Sequence, residues 1–209
     1  MTAVDRDKYM NDQEVQLLRT VTQAHAITDM QAGRVRGVLA WAVVDVALQT
    51  GLRVCELIRL NVGEFDAKRR ALKVWRHKRR EPVRETIALS KELSAHLNQF
   101  IEWKRSAGQA TDKQSPMFVG KRGSLTVSGL ERIWKAAVRR AGLPEELSIH
   151  SARHTIAVIL LKKTGNLRFV QKQLGHASPA TTANMYADIS FEDMQDGLNG
   201  LYKNSTVGA

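Results

Sequence analysis

Cysteine is nearly absent from the 209 residues: Cys55 stands alone, so no intramolecular disulfide can form. His150 and His154 stand in H-x-x-x-H spacing, but with one cysteine in the chain there is no C-x-x-C pair to complete a structural zinc site. Long apolar runs are missing too. The most apolar stretch, Gly37 to Leu48, is about twelve residues with Asp45 inside it, well short of the roughly 20 that span a bilayer. The opening residues MTAVDRDKYMNDQE mix charges of both signs and lack a signal-peptide core. These absences set the expectation of a cytoplasmic chain with no membrane partner. Prolines number four, Pro82, Pro116, Pro144 and Pro179, each where periodic structure breaks, and there is no internal repeat or low-complexity tract.

Acidic charge is in short supply. Against 21 Asp and Glu stand 32 Lys and Arg, a formal charge of +11, which suits a protein that meets a polyanion and favours nucleic acid over an anionic membrane surface. A hydrophobic share of 43% with 25% charged residues excludes disorder for most of the chain.

The pattern predicts a mainly α fold with a small antiparallel β-sheet. Asn11 or Asp12 caps a first helix with Glu14 in its opening turn and Val15, Leu17, Leu18 and Val21 on its apolar face. A longer, largely buried helix is expected over Gln31 to Thr50, ended by Gly51, and a short one over Val54 to Leu60. Two β-prone runs, Ala71 to Trp75 and Thr86 to Leu89, flank a basic stretch, Arg76 to Glu85, that reads as a mobile hairpin tip. Helical periodicity returns over Lys91 to Trp103, Val127 to Ala141 and His150 to Thr164, then in shorter pieces to Tyr202, eight or nine helices in all.

Three separated segments stand out: TGLRVCEL at Thr50 to Leu57, HSARHT at His150 to Thr155, and LGHASPATTANMY at Leu174 to Tyr186. In this order and spacing they resemble the tyrosine recombinase (phage integrase) family. Its signature is a T-G-L-R-x-x-E-L box, a hairpin lysine, an H-x-x-R-H box, and an L-G-H box shortly before a tyrosine. The match runs from about Met10 to Tyr202. The resemblance implies a DNA breaking-and-rejoining catalytic domain of the integrase type that recombines sites through a 3′-phosphotyrosyl intermediate and a Holliday junction. It implies no cofactor and no metal. The expectation for 1–209 is one catalytic domain, with 203–209 as a tail and no separate helical domain ahead of it.

The chemistry accounts for these residue types. Metal-free cleavage of a phosphodiester needs a nucleophile, cations on the non-bridging oxygens, a base for the nucleophile and an acid for the leaving oxygen. Arg53 and Arg153 offer planar forks suited to bidentate phosphate contact. Glu56, three residues beyond Arg53, is placed to support it. His150 and Arg153 share a helix face, whereas His154 is expected to point elsewhere. The resemblance assigns His150 to activating the nucleophile, His176 to the phosphate and Tyr186 to the attack. Ten positions separate His176 from Tyr186, one more than the family's usual spacing. The hairpin is about three residues longer than usual; counting from either end brackets Lys78, which becomes the candidate acid. Around it Lys68, Arg69, Arg70, Lys73, Arg76, Arg79, Arg80 and Arg84 form a candidate phosphate-backbone patch.

Two other readings stay open on the sequence: a type IB topoisomerase-like enzyme that reseals the same strand, and a DNA-binding regulator without catalysis. The resemblance further implies a homotetramer on two paired double-stranded DNA sites, formed from chains that are monomeric in free solution. A C-terminal stripe of Phe191, Met194, Leu198 and Leu201 would pass between protomers.

Overall fold

The computed structural model describes residues 9–78, 81–121 and 123–175, the side chains of 77, 78 and 81 excepted. Helix α1 (Asp12–Gln31) begins at an Asn11 cap. The Asn11 side chain accepts the Glu14 amide at 2.9 Å and the Glu14 carboxylate accepts the Asn11 amide at 2.8 Å, a reciprocal arrangement that satisfies two otherwise orphaned donors. The next helix, α2 (Arg36–Thr50), starts five residues later than the periodicity predicts. Asp29 explains the break: its carboxylate takes the Gly37 amide at 2.6 Å and Arg34 Nε at 2.8 Å, so a side chain from the end of α1 caps the start of α2.

Val38, Ala42, Val43, Val44 and Val46 are buried around the whole of α2, which packs against α1 and three later helices. Its one acid is satisfied inside the core. Asp45 accepts Arg19 Nε at 2.8 Å and Gln49 Nε2 at 2.9 Å, and faces His96 Nδ1 at 2.7 Å, with Trp41 stacked on the imidazole. Burial alone would raise the Asp45 pKa, but the bonds from His96 and Gln49 and the Arg19 charge bring it below the ordinary carboxylate value.

Beyond the short α3 (Val54–Leu57), three antiparallel strands form a sheet in the order β1 (Phe65–Asp66), β2 (Ala71–Lys78), β3 (Glu81–Ala88). The stretch read as a mobile tip is mostly paired strand. The ladder runs from Ala71↔Ala88 through Arg76↔Val83 and His77↔Pro82 to Lys78↔Glu81. Pro82 is tolerated because β3 is an edge strand, where a missing amide need not break the sheet. Leu72, Val74 and Arg76 turn one way into the protein while Lys73 and Trp75 turn out, so the two-residue period persists beneath the run of basic residues.

The remaining described elements are α4 (Lys91–Ser106), a two-residue hairpin of β4 (Val119–Gly120) and β5 (Gly123–Ser124), then α5 (Val127–Arg140), α6 (Ile149–Thr164) and α7 (Leu167–Leu174). Ser90, Thr126, Ser148 and Asn166 cap the four helices with side-chain oxygens. Helix α6 packs against α2 and α7, and the Met10 amide donates to Thr155 Oγ1 at 2.9 Å, tying the start of the described chain to it. Among the described residues no helix is long and apolar enough to cross a membrane.

Candidate active site

The T-G-L-R segment works through a sharp reversal. Helix α2 ends at Gly51, whose amide donates to Ala47 O at 3.0 Å from a left-handed conformation, φ +63°. A Cβ there would meet Leu174 Cδ2 at 2.5 Å and Ile156 Cγ2 at 2.6 Å, so both backbone angle and space require glycine. The turn aims the Gly51 carbonyl at Arg153, whose Nη1 donates to it at 2.6 Å. Two residues on, Arg53 caps α3. Its amide donates to Glu56 Oε2 and its Nη1 to Oε1, both at 2.9 Å. The Arg53 side chain remains 38% exposed, within reach of a ligand.

Arg153 is 3% exposed. Besides Gly51 O it donates through Nη2 to Leu174 O at 2.8 Å. Burial, then the Arg53 charge, lower its pKa to about 9 despite the opposing pull of Glu56, which leaves it a cation at neutral pH. His150, at the exposed start of α6, is held below the ordinary histidine range by partial burial and by the charges of Arg153 and Arg53. It is therefore a neutral imidazole near pH 7, the form that accepts a proton. The expectation that His154 points elsewhere is corrected: four residues from His150, it sets its ring edge-on at 5.6 Å from that imidazole.

The L-G-H segment begins at the end of α7. Gly175 closes the helix at φ +67°, its amide donating to Gln171 O at 2.8 Å. His176 and Tyr186 lie outside the described residues, as do Arg79, Arg80 and the Phe191 to Leu201 stripe. Lys78 is the last residue of β2, paired in register with Glu81, and its side chain likewise lies outside them.

The basic patch divides. Lys68, Arg69, Arg70, Lys73 and Arg84 are exposed, with Arg84 5.5 Å over the Trp75 ring and 3.8 Å from Glu64. Arg76 does not belong to that patch. It is 1% exposed, and its Nη1 reaches Glu56 Oε2 at 3.2 Å and Leu174 O at 2.5 Å. The reason is strand parity: position 76 falls on the inward side of β2, where acceptors from α3 and α7 surround it.

A groove of about 670 Å³ next to His150 went unnoticed in the sequence; Arg36, Arg132, Lys135 and Arg139 line it with Ser148 and His150. The spacing 132/135/139 places those three on one face of α5, a signal that was present but unread. Arg139 holds Glu145 by a double contact at 3.0 and 3.2 Å, so it contributes less free charge than the others.

Comparison with known proteins follows the same residues. The family profile described as the phage integrase family matches residues 6–193. The tyrosine recombinase XerC of Corynebacterium efficiens is 35% identical over 158 residues, 75% of this chain and 48% of that protein. XerD of Oceanobacillus iheyensis is 29% identical over 157 residues, 74% of this chain and 52% of that protein. The chain thus spans about half the length of these curated relatives. Among solved structures, XerA recombinase is similar with a TM-score of 0.74 at 24% identity, over 91% of this chain and 64% of that one. XerH recombinase, bound to palindromic difH substrate in a post-cleavage complex, gives 0.71 at 17% identity over 92% and 52%. At these identities the structural likeness is one of fold.

Proposed function

The chain belongs to the phage integrase family and has the integrase-type catalytic fold, and on that premise we propose that it is a tyrosine site-specific recombinase acting on double-stranded DNA. One observation carries the reading: Arg153 binds the carbonyl of Gly51, two residues before Arg53, and that of Leu174 at the end of α7, near enough to Arg53 to feel its charge, with His150 one helical turn away. That is a cationic, hydrogen-bonding cradle with a neutral base at its edge.

In the proposed reaction Arg53 and Arg153 hold the non-bridging oxygens of one phosphodiester and His176 donates to the same group. Tyr186 Oη attacks phosphorus and gives its proton to His150. The bond to the 5′ oxygen breaks, and that oxygen takes a proton from Lys78. The products are a 3′-phosphotyrosyl link and a free 5′ hydroxyl. Attack by the 5′ hydroxyl of a partner strand reverses the step, so the phosphoryl bond energy is retained and ATP is not needed. Two such exchanges pass through a Holliday junction.

Residues 1–209 are proposed to act as one catalytic domain, cytoplasmic, monomeric in free solution and tetrameric on paired sites, with Phe191 to Leu201 passing between protomers. Lys68, Arg69, Arg70, Lys73, Arg79, Arg80 and Arg84 are proposed to run along the phosphate backbone, and the α5 groove adds a second basic surface. The relative XerH, solved on its DNA after cleavage, supports duplex DNA as partner.

Covalent trapping on a nicked suicide duplex tests the reading. A denaturing gel should show a protein–DNA adduct that persists in excess chelator, because the arginines supply the positive charge that metal ions supply in two-metal nucleases. Relaxation of supercoils without any junction product would favour a topoisomerase instead. The pH dependence is a further expectation. His150 must be neutral to accept a proton and its pKa is lowered, so adduct formation should fall only as pH drops below the ordinary 6.5. An acid limb centred at or above that value would show that another group is the base.

A further inference from the structure

We propose that Arg76 is a positioning residue for strand transfer, a buried tie that joins the β-hairpin to both halves of the phosphate cradle; the inference rests on the reaction proposed above. Its sequence context, between Lys73 and Lys78 in a run of basic residues, marks it as one more DNA contact. Its surroundings do not allow that. It is 1% exposed, and its guanidinium is surrounded by groups from three other elements, two of them carboxylates.

Those contacts are specific. Nη1 donates to Glu56 Oε2 of α3 at 3.2 Å and to Leu174 O at 2.5 Å. Nη2 donates to Gln173 O at 2.8 Å, and Nε lies 3.2 Å from Glu85 Oε2 on β3. The two carbonyls belong to the last turn of α7, where four backbone acceptors have no partner within the helix and the dipole favours a cation. Arg76 supplies both donors and charge. Gly175 is moulded to it: a Cβ at that position would lie 2.4 Å from Arg76 Nε and 2.5 Å from Cζ. The turn that delivers His176 is thus packed directly on the guanidinium.

The same atoms link the two candidate phosphate arginines. Glu56 gives one oxygen to Arg53 Nη1 and the other to Arg76. Leu174 O accepts from both Arg76 and Arg153. The path Arg53, Glu56, Arg76, Leu174 O, Arg153 is continuous, and Arg76 is the member that lies on the hairpin, two residues before Lys78. Because Arg76 occupies Glu56 Oε2, the Glu56 charge is shared, and less of it is spent on Arg53. Without Arg76, the full carboxylate charge acts on Arg53, Gln173 O loses the Arg76 donor and Leu174 O keeps Arg153 alone. Both effects weaken the chemical step and leave the DNA-facing surface intact.

The experiment compares the full chain with Arg76→Ala, Arg76→Lys, Glu56→Gln and the Arg76→Ala/Glu56→Gln pair, each checked for a cooperative melt. Single-turnover adduct formation on the suicide duplex and the salt dependence of duplex binding are measured for each. Arg76→Ala should slow adduct formation on the order of 10- to 100-fold, the range seen when residues supporting a site's ligands are removed. Its DNA affinity and salt slope should stay at the parent's values. Arg76→Lys should recover part of the rate, and it keeps the test open if the alanine variant fails to fold. In the Glu56→Gln background the further loss from Arg76→Ala should shrink to a few-fold, since the two act along one path. A salt slope reduced by about one would make Arg76 a phosphate contact and overturn the proposal. So would an unchanged adduct rate, or an equal loss with and without Glu56. No adduct from the parent chain would refute the strand-transfer reading itself, and the salt slope would still decide whether Arg76 touches DNA.

Discussion

Tyr186→Phe is expected to abolish the covalent DNA adduct and leave duplex affinity nearly unchanged. The phenyl ring preserves packing but has no oxygen to attack phosphorus, and no other proposed member of the site can take over as a nucleophile. A suicide substrate on a denaturing gel reads this directly. An adduct from the Phe variant would move the nucleophile elsewhere, with Tyr202 the next candidate.

Arg53→Lys and Arg153→Lys should each slow cleavage on the order of 100-fold or more, because losing one oxyanion contact costs about 3 to 4 kcal/mol and an ammonium does not reproduce the fork. The structure separates their side effects. Arg153 spans Gly51 O and Leu174 O from a nearly closed position, so lysine there leaves a buried carbonyl short of a donor and should also lower thermal stability, by about 1 to 3 kcal/mol. Arg53 is partly exposed and has one carboxylate partner among the described residues, so its variant should melt near the parent. Cleavage within a few-fold of the parent in either case would reduce these arginines to steering charges.

Local signals were legible wherever a few neighbouring residues decide the outcome. The Asn11 cap and the glycine closing α2 are short-range devices, and each element begins or ends within a residue or two of where those residues place it. Candidate roles for Arg53, Glu56, His150 and Arg153 were legible because their boxes carry characteristic spacing. Arg76 was not, because its acceptors stand 20, 97 and 98 positions away and its own neighbourhood is basic. Lys104 makes the same point on a smaller scale. It is fully buried with its ammonium on Pro116 O and Met117 O, while its sequence places it beside Arg105 at an ordinary charged helix end. The two-residue strands β1, β4 and β5 are too short to show a period, and the length of β2 was hidden because alternation continued through charged residues.

The central claim is that three distant segments assemble a cradle in which a tyrosine, rather than water, attacks a DNA phosphate. Protease digestion of the trapped complex followed by mass spectrometry of the nucleotide-bearing peptide tests it most directly. The account predicts a single modified peptide containing Tyr186, joined through a 3′ phosphate, with a free 5′ hydroxyl on the released strand. Modification at another residue, a 5′-phosphate link, or cleaved DNA with no peptide attached would contradict it.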